Sequence, residues 1–516
     1  MERVCLMLAK TLSCGLSGVY GYPVEVEAFI SSGMIGFEIV GLPGAAVKES
    51  RDRVRAAISV SGLSFPFGKV TVNLAPADVK KEGTAYELAI AVALLAARSP
   101  EAFHGLGETM LLGELALDGR LMPVRGALGM AITAARQGVR ALILPRANAR
   151  ECECVAGLAV YPAETLLQVY GHLSGKAPLA AQPTARYETL APDAPTAFDL
   201  KYVKGQPAGR KALEIAAAGG HNLLMTGIPG SGKTMLARCL PGILPPMTYE
   251  EALETTLIHS AAGELGEDHG LMTQRPFRTP HHNVSMPAMI GGGAKARPGE
   301  VSLAHNGVLF LDELPEFRRE TLEALRQPLE DGFVNVTRVG GQNRYQSHAA
   351  LVAAMNPCPC GNYGSRTRPC RCTPAEIKRY LGRISGPLLD RIDLRVEMDA
   401  VSVEEIETSG TEESSAAVRA RVLEARRRQT ARYAGLSYHC NAQLDQPGVE
   451  RFCTLDAAAA KLLHQAVDRF RLSMRAYGRI RKVARTAADL SGHEAIEAQD
   501  VALALQFRTA HESYGG

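Results

Sequence analysis

The sequence predicts a multidomain α/β protein with a helical carboxyl-terminal part. Its 516 residues exceed the length of one ordinary domain. Apolar runs typical of buried strands alternate with helical patterns up to about residue 400, and the chain from 416 onward is helical and rich in Arg. Composition shifts to Pro, Ala and Thr at 174–196, and to acidic residues at 404–415. We therefore expect three domains and a linker, at 1–173, 199–400, 401–516 and 174–198.

Composition excludes several classes of function. A formal net charge of +3 gives no global electrostatic reason to bind nucleic acid, so such a site would be a local patch. No segment is long and apolar enough to span a bilayer, and the amino terminus lacks a signal-peptide pattern. The eleven Cys are mostly scattered, unlike a secreted disulfide framework. We expect a cytoplasmic protein with no membrane partner.

A phosphate-binding motif lies in the middle of the chain. The segment 227–234, GIPGSGKT, fits G-x-x-x-x-G-K-[ST] at every fixed position. An apolar run at 221–226 predicts a strand before it, and 235–240 predicts a helix that Pro241 ends. Backbone amides of such a loop, with the helix amino terminus, bind phosphates. The candidate residues for binding ATP are Gly227, Pro229, Gly230, Ser231, Gly232, Lys233 and Thr234.

Polar residues at strand ends complete a candidate hydrolysis site. The apolar run 307–311 predicts a buried parallel strand that ends in Asp312 and Glu313. Asp312 would hold Mg²⁺ together with the Thr234 hydroxyl, and Glu313 would polarise the attacking water. Asn356 ends a third core strand and would orient that water, with a strand-capping role as the alternative.

Arg391 follows a turn at 386–390, from which it would stabilise transition-state charge on a neighbour's nucleotide. From the residues alone, a surface Arg is an equal alternative.

Taken together, the motifs GIPGSGKT, GVLFLDELPEF, AAMNPCPCG, GPLLDRID and LSMRAYGRI resemble the AAA+ ATPases of the magnesium-chelatase/MCM branch. The resemblance is greatest to the bacterial YifB/ComM family and covers essentially the whole chain.

This resemblance implies specific roles for named residues. Asn356 would be sensor 1, Arg391 an arginine finger acting in trans, and Arg475 sensor 2, with Arg479 or Arg481 as alternatives. It also implies a homo-hexameric ring that uses ATP and Mg²⁺ to drive branch migration of DNA in natural transformation and recombination. A protein-remodelling ATPase, like the chelatase motor subunits or MoxR-type chaperones, is the alternative function with the same catalytic set.

A hairpin and an insert are the candidate DNA contacts. The segment 333–345 alternates on both sides of Gly340-Gly341, which predicts a β-hairpin. It resembles the pre-sensor-1 hairpin of this branch, and 279–293 resembles its helix-2 insert. The resemblance implies that both face a ring pore, where the hairpin would contact phosphates through Arg338, Asn343 and Arg344. A solvated surface hairpin is the alternative. The insert carries two adjacent His, His281 and His282, to which we assign no metal.

Four thiols lie within fifteen residues after the strand of Asn356, at Cys358, Cys360, Cys370 and Cys372. In a cytosolic protein this spacing favours a metal over disulfides, and four thiolates suit structural Zn²⁺. A chance cluster and an iron–sulfur site are the alternatives.

The amino-terminal block resembles a Lon-type protease domain, through 73–89, 112–128 and 141–145. Proteases of that type use a Ser–Lys dyad, in which the Lys amine activates the Ser hydroxyl. Ala85 stands at the Ser position and Leu128 at the Lys position. We therefore expect a degenerate α+β domain without peptidase activity, and the third possible function, an ATP-dependent protease, is disfavoured.

Overall fold

The computed structural model describes residues 7–190, 197–266, 269–293, 296–338, 341–365, 368–401 and 412–509. At 338, 341 and 509 the description covers the backbone without the side chain. Most of the acidic stretch at 404–415 lies outside the described residues. Across these ranges, no helix combines the length and apolar content that crossing a membrane requires.

Residues 7–173 form a mixed sheet covered by helices. The strands are β1 (Met7–Ser17), β2 (Tyr20–Ser31), β3 (Gly36–Val40), β4 (Lys69–Ala75), β5 (Thr109–Leu111), β6 (Glu114–Leu115), β7 (Leu121–Met122), β8 (Ala141–Pro145) and β9 (Ala159–Ala163). The helices are α1 (Ala45–Val60), α2 (Glu87–Arg98), α3 (Ala127–Arg136) and α4 (Leu166–Leu173). Seven strands form one sheet in the order β3-β4-β2-β1-β5-β8-β9.

Apolar patterning explains this part of the fold. Helix α2 is buried at every position from Glu87 to Ala97, as expected for a helix rich in Ala and Leu on all sides. It lies against β1 and β2. The strand predicted at 69–74 is confirmed as β4, and the helix predicted at 126–136 as α3.

One predicted strand in this part is wrong. The run 111–117 does not continue as a single strand, because the chain leaves the sheet after Leu111. The amide of Gly113 then bonds the carbonyl of Ala85, at 3.0 Å, and 114–122 forms the separate β6–β7 hairpin. Apolar alternation indicated extended backbone here and could not indicate a change of partner.

The central part carries nine strands among its described residues. They are β10 (Leu223–Gly227), β11 (Phe277–Arg278), β12 (Gly291–Gly292), β13 (Arg297–Pro298), β14 (Val308–Leu311), β15 (Phe333–Arg338), β16 (Gly341–Gln346), β17 (Ala350–Met355) and β18 (Leu394–Met398). The helices are α5 (Pro207–Gly219), α6 (Lys233–Ile243), α7 (Tyr249–Ala262), α8 (Met286–Ile290), α9 (Glu300–Leu303), α10 (Arg319–Ala324), α11 (Arg326–Asp331), α12 (Pro374–Leu381) and α13 (Gly386–Leu389).

Five of these strands form a parallel sheet in the order β11-β14-β17-β10-β18. Its three inner strands, β14, β17 and β10, are buried on both faces, as is typical of parallel sheets. Alternate residues of one strand enter different cores: Val308 and Phe310 pack in one cluster, and Leu309 and Leu311 in another. This two-sided burial explains why the strands appear in the sequence as unbroken apolar runs.

Helix α6 corrects the prediction that Pro241 ends it. The helix continues through Pro241 to Ile243. Pro cannot donate the hydrogen bond to the carbonyl four residues earlier, but this loss falls in the last turn of the helix. The amide of Leu244 still bonds the carbonyl of Leu240, at 3.2 Å, so the turn closes around the proline.

The carboxyl-terminal part is helical, as predicted. Its helices are α14 (Ser415–Arg432), α15 (Gln446–Phe452), α16 (Ala457–Phe470), α17 (Met474–Ser491) and α18 (Ala498–Thr509). Helix α14 lies against α5 and α6, and α17 lies against α5. These helices share one apolar core with the central sheet, so they cover one of its faces.

The amino-terminal and central parts touch through α3 and α7. The Ser260 hydroxyl donates to the buried Glu151 carboxylate at 2.5 Å, and burial raises the pKa of Glu151.

Within the predicted linker, the described stretch 174–190 has no helix beyond one short 3₁₀ turn. Its Tyr187 hydroxyl nevertheless donates to the Met247 carbonyl at 2.7 Å, so the stretch packs against its neighbours.

We predict that Asp489→Ala destabilises the carboxyl-terminal helices. The Asp489 carboxylate is fully buried between Arg432 and Arg485, at 3.0 and 3.1 Å, and accepts from Asn441 at 2.9 Å. Removing one member of a buried ion network leaves buried charge unpaired, at a cost of about 3–5 kcal/mol. Because the chain has no Trp, urea unfolding is best followed by circular dichroism. Arg427→Ala, at a 79 % exposed side chain, should change stability by at most about 0.5 kcal/mol. Equal effects of the two changes would contradict the argument.

Candidate functional site

The phosphate loop joins β10 to α6. Gly230 and Gly232 have φ of 81° and 87°, a left-handed conformation that glycine adopts without steric cost. Gly227 is needed for another reason, since a methyl group there would lie 2.4 Å from the Met398 carbonyl oxygen. The loop therefore closes against β18 beside the amino end of α6, where unpaired helix amides favour anions.

Lys233 folds back over this loop. Its Nζ donates to the carbonyl oxygens of Gly227 and Ile228, at 2.7 and 2.9 Å. The side-chain oxygen of Asn356 lies 3.4 Å from the same Nζ. Burial lowers the pKa of Lys233, and the nearby charge of Asp312 opposes that shift. Lys233 and Asn356 thus meet at one anion site, although 123 residues separate them in the chain.

A candidate magnesium site lies beside Lys233. The Thr234 hydroxyl donates to one carboxylate oxygen of Asp312 at 2.8 Å, and the Glu313 amide donates to the other at 3.0 Å. Hydroxyl and carboxylate oxygens are ligands that Mg²⁺ prefers, and it completes its shell with water and phosphate oxygens. The donor set therefore fits Mg²⁺, which when bound would neutralise phosphate charge.

Glu313 begins a sharp turn at the end of β14. Its φ of 53° and ψ of 47° are left-handed, which costs a non-glycine residue about 1–2 kcal/mol. The side chain remains 56 % exposed. A carboxylate held at a strand end and open to solvent is placed to accept a proton from an attacking water.

A histidine contacts this acid and was not predicted to do so. His282 Nδ1 lies 3.6 Å from Glu313 Oε2, and its ring lies tilted at 35° against the ring of His281, with 4.1 Å between centroids. The ring of Phe317 lies nearly perpendicular to the His282 ring, with 6.4 Å between centroids. The contact joins positions 31 residues apart, so no local pattern in the sequence could have indicated it. It places an imidazole where it can orient the Glu313 carboxylate.

Arg391 lies at the opposite edge of the sheet from the phosphate loop. Its carbonyl accepts from the side chain of Asn222, at 2.9 Å, and Asn222 immediately precedes β10. The five residues of β10 span about 17 Å, and the phosphate loop begins only at their far end. The Arg391 guanidinium pairs with Glu330 beside an open pocket formed by α10 and α11. The structure thus does not bring Arg391 to Lys233 of the same chain.

The three sensor-2 candidates differ in their surroundings. Arg479 Nε lies 3.9 Å from Asp393 Oδ1, at the same edge of the sheet as Arg391. Arg475 is exposed one turn earlier on α17. Arg481 is buried and donates to the Cys453 carbonyl at 2.9 Å, which uses its donors inside the carboxyl-terminal helices.

Four cysteine sulfurs converge after β17. The sulfurs of Cys358, Cys360, Cys370 and Cys372 all lie within 4.8 Å of one another. Three of the separations are 3.4, 3.6 and 3.7 Å, close to the ~3.8 Å between sulfurs of a tetrahedral Zn²⁺ site with Zn–S bonds of ~2.3 Å. Hydrogen bonds from the backbone amides of Arg371 and Asn362 lower the pKa of Cys360 to about 6. The donor set and spacing therefore fit Zn²⁺.

The predicted hairpin forms as β15 and β16. The Arg344 side chain is exposed, and its guanidinium lies 3.5 Å from the centroid of the Phe333 ring. Asn343 stands opposite Val336 in the register, on the face that packs toward Val19 of the amino-terminal part. The Arg338 side chain and the tip at 339–340 lie outside the described residues.

The structure also locates the two positions aligned with the protease dyad. Ala85 and Leu128 are both buried in one apolar cluster, with Leu112 and Met110 among its members. These side chains offer neither a nucleophile nor a base.

Comparison with known proteins agrees with these motifs. Three family models match, described as "Magnesium chelatase, subunit ChlI" over 199–406, "Subunit ChlI of Mg-chelatase" over 26–148, and "Magnesium chelatase, subunit ChlI C-terminal" over 412–508. The YifB protein of Escherichia coli K12 is 46% identical over 492 residues, which cover 95% of each chain. Competence protein ComM of Haemophilus influenzae is 44% identical over 506 residues, which cover 98% of each chain.

A weaker similarity concerns a protease. The Lon protease of Brevibacillus choshinensis is 26% identical over 171 residues, 31% of this chain and 22% of that protein.

The mixed α/β architecture, matched by several family models, agrees with the predicted fold class. Given identities of 44–46% over nearly its full length, the chain belongs to the YifB/ComM family of magnesium-chelatase-like proteins, within the AAA+ ATPase superfamily.

Proposed function

We propose that this protein is a hexameric, ATP-dependent DNA motor that drives branch migration when incoming DNA is integrated in natural transformation and homologous recombination. The observation that carries the ATPase part is the meeting of Lys233, Thr234, Asp312 and Asn356 at one edge of a parallel sheet. The DNA part is supported by the 44% identity to a protein named for competence. The cytoplasm is the proposed location.

The proposed hydrolysis cycle assigns one task to each group. Lys233 and the loop amides bind the phosphates of ATP, while Thr234 and Asp312 hold Mg²⁺. Glu313 accepts a proton from the attacking water, and Asn356 orients that water beside the terminal phosphate. The four cysteines Cys358, Cys360, Cys370 and Cys372 hold a structural Zn²⁺.

The proposed site is completed by a second subunit. The position of Arg391, a strand length away from the phosphate loop of its own chain, supports its action on a neighbour's nucleotide. Arg475 or Arg479 would act from the same side, since Arg479 lies beside Asp393 at that edge. A ring in which each chain offers one edge of its sheet to the next meets both requirements.

The remaining parts have proposed roles of their own. We propose domains at 1–173, 199–400 and 401–516, with 174–198 as a linker and the carboxyl-terminal helices as a lid. The hairpin would follow a DNA strand through Arg338, Asn343 and Arg344, by contacts to phosphates that do not depend on sequence. The amino-terminal part would serve as an inactive Lon-like platform.

A protein-remodelling ATPase is the alternative function. It would use the same phosphate loop, acids and arginines, and the family models named for magnesium chelatase are its support. The two functions differ in whether DNA stimulates hydrolysis through the hairpin.

We predict that Glu313→Gln abolishes turnover and preserves binding of ATP. The amide keeps the shape of the side chain but cannot accept the proton of water, so hydrolysis should fall about 100-fold or more. Phosphate release measures turnover, and a fluorescent ATP analogue measures binding. The matched control is Glu316→Gln three residues later, where the carboxylate pairs with Arg383 at the surface. Hydrolysis by Glu313→Gln at the parent rate would exclude the assigned role.

We predict that mixing two inactive variants restores hydrolysis. Arg391→Ala lacks the residue offered to the neighbour, and an arginine finger contributes about 1,000-fold or more to turnover. Lys233→Ala cannot bind ATP but still offers Arg391. A mixed ring therefore contains intact sites at some interfaces, and phosphate release should exceed the sum of the two separate rates. Mixing Arg391→Ala with the Lys233→Ala/Arg391→Ala double variant forms no intact site and is the control. If Arg391 acts within its own chain, neither mixture gains activity.

We predict that Arg344→Ala, alone and with Arg338→Ala, reduces the stimulation of ATPase activity by single-stranded DNA. The Arg344 side chain is exposed, so it can contact a phosphate. Loss of one such contact should reduce the slope of the logarithm of DNA affinity against the logarithm of salt concentration by about one. Arg427→Ala removes the same charge from the exposed face of α14 and serves as the control. ATPase activity that DNA does not stimulate in the parent protein would favour the remodelling function.

A further inference from the structure

The cysteine cluster defined by Cys358, Cys360, Cys370 and Cys372 lies directly beside the phosphate loop. A methyl group on Gly361, within the cluster, would come within 2.7 Å of Cγ and Cδ of Pro229. Pro229 is the third residue of the phosphate loop. The backbone of the cluster and the ring of this proline are therefore in van der Waals contact.

The cluster is also joined to the residue that faces Lys233. Cys358 follows Asn356 by two positions and is fully buried. Tyr380 of α12, the helix that follows the cluster, is linked by a hydrogen bond to the backbone of Asn356. The chain between β17 and α12 thus begins at the nucleotide site and returns to it.

The described residues of this connection contain no helix or strand between Asn356 and Thr373. What orders them is contact among the sulfurs. Backbone amides donate to the sulfurs: Tyr363 to Cys358 at 3.3 Å, Cys360 to Cys372 at 3.4 Å and Cys372 to Cys370 at 3.4 Å, with further amide hydrogen bonds to Cys360. Hydrogen bonds from backbone amides stabilise thiolates. A metal bound by thiolates with such hydrogen bonds therefore fixes the backbone that carries its ligands.

We infer that Zn²⁺ in this cluster holds the phosphate loop in its binding shape, so that occupancy of the metal site sets the affinity for nucleotide. Without the metal, nothing would bind the four sulfurs to a common centre, and the connection would lose its cross-link. Gly361 would then leave Pro229, and Asn356 would lose its fixed distance from Lys233. The inference rests on the proposed ATP site, and goes beyond it by making that site dependent on a soft, tetrahedrally bound cation.

The test measures metal content and nucleotide affinity separately, on the full-length protein. Purified parent chain should contain about one zinc per chain by mass spectrometry of the metal, and Co²⁺ exchanged into the site should give thiolate-to-cobalt absorption. Cys360→Ser should lose the metal and raise the Kd for a fluorescent ADP analogue about tenfold or more. Cys154→Ser, at a buried cysteine of the amino-terminal part, should keep both values of the parent.

Gly361→Ala keeps all four sulfurs, so it tests the inference even if Cys360→Ser fails to fold. It should retain zinc and still weaken nucleotide binding, because its methyl group meets Pro229 and because a φ of 80° at this position is strained for any residue but glycine. Full zinc with the parent Kd in Gly361→Ala, or loss of zinc with the parent Kd in Cys360→Ser, overturns the inference. So does a parent protein without zinc. Failure of the proposed ATP site is distinct, since a zinc-loaded parent would then bind no nucleotide at all.

Discussion

The parallel register of β14, β17 and β10 is the constraint on which the rest of the site depends. Leu311 pairs with Ala353, and Thr226 pairs with Met355, so the three strands end within about three residues of each other. The residues that follow their ends are Asp312, Asn356 and the phosphate loop. Because side chains at the ends of parallel strands meet at a common edge, the register alone assembles an acid, an amide and an anion site.

The same register separates two kinds of charged group. The phosphate loop, Asp312 and Glu313 occupy the carboxyl edge, whereas Arg391 and the pair of Arg479 with Asp393 occupy the amino edge. A strand length of parallel sheet keeps these arginines from the nucleotide of their own chain. In the account we propose, this separation is the reason that hydrolysis needs a neighbouring subunit, and it ties catalysis to ring assembly.

Features encoded in a few consecutive residues were predictable from the sequence. The phosphate loop, the acids after β14, the Gly-centred hairpin and the all-apolar helix α2 each carry a local pattern with one physical meaning. Contacts between distant segments carry no such pattern. His282 against Glu313, Gly361 against Pro229, and Val19 beneath the hairpin emerge only when the elements pack.

Two predictions were wrong, for different physical reasons. Pro241 was expected to end α6, yet the helix extends beyond it, because the loss of one backbone hydrogen bond in the last turn costs little helix stability. The run 111–117 was expected to be one strand, but its chain changes partners after Leu111. The first error is local, because Pro241 lies in the last turn of the helix, whereas the second depends on a distant partner, because the Gly113 amide bonds the Ala85 carbonyl.

Migration of a synthetic Holliday junction by the purified protein tests the central claim most directly. The account predicts that the parent protein converts the junction to two duplexes when ATP and Mg²⁺ are present, and that the variant without the Glu313 carboxylate leaves the junction intact while still binding ATP. A parent protein with full ATPase activity that moves or separates no branched DNA would contradict the account.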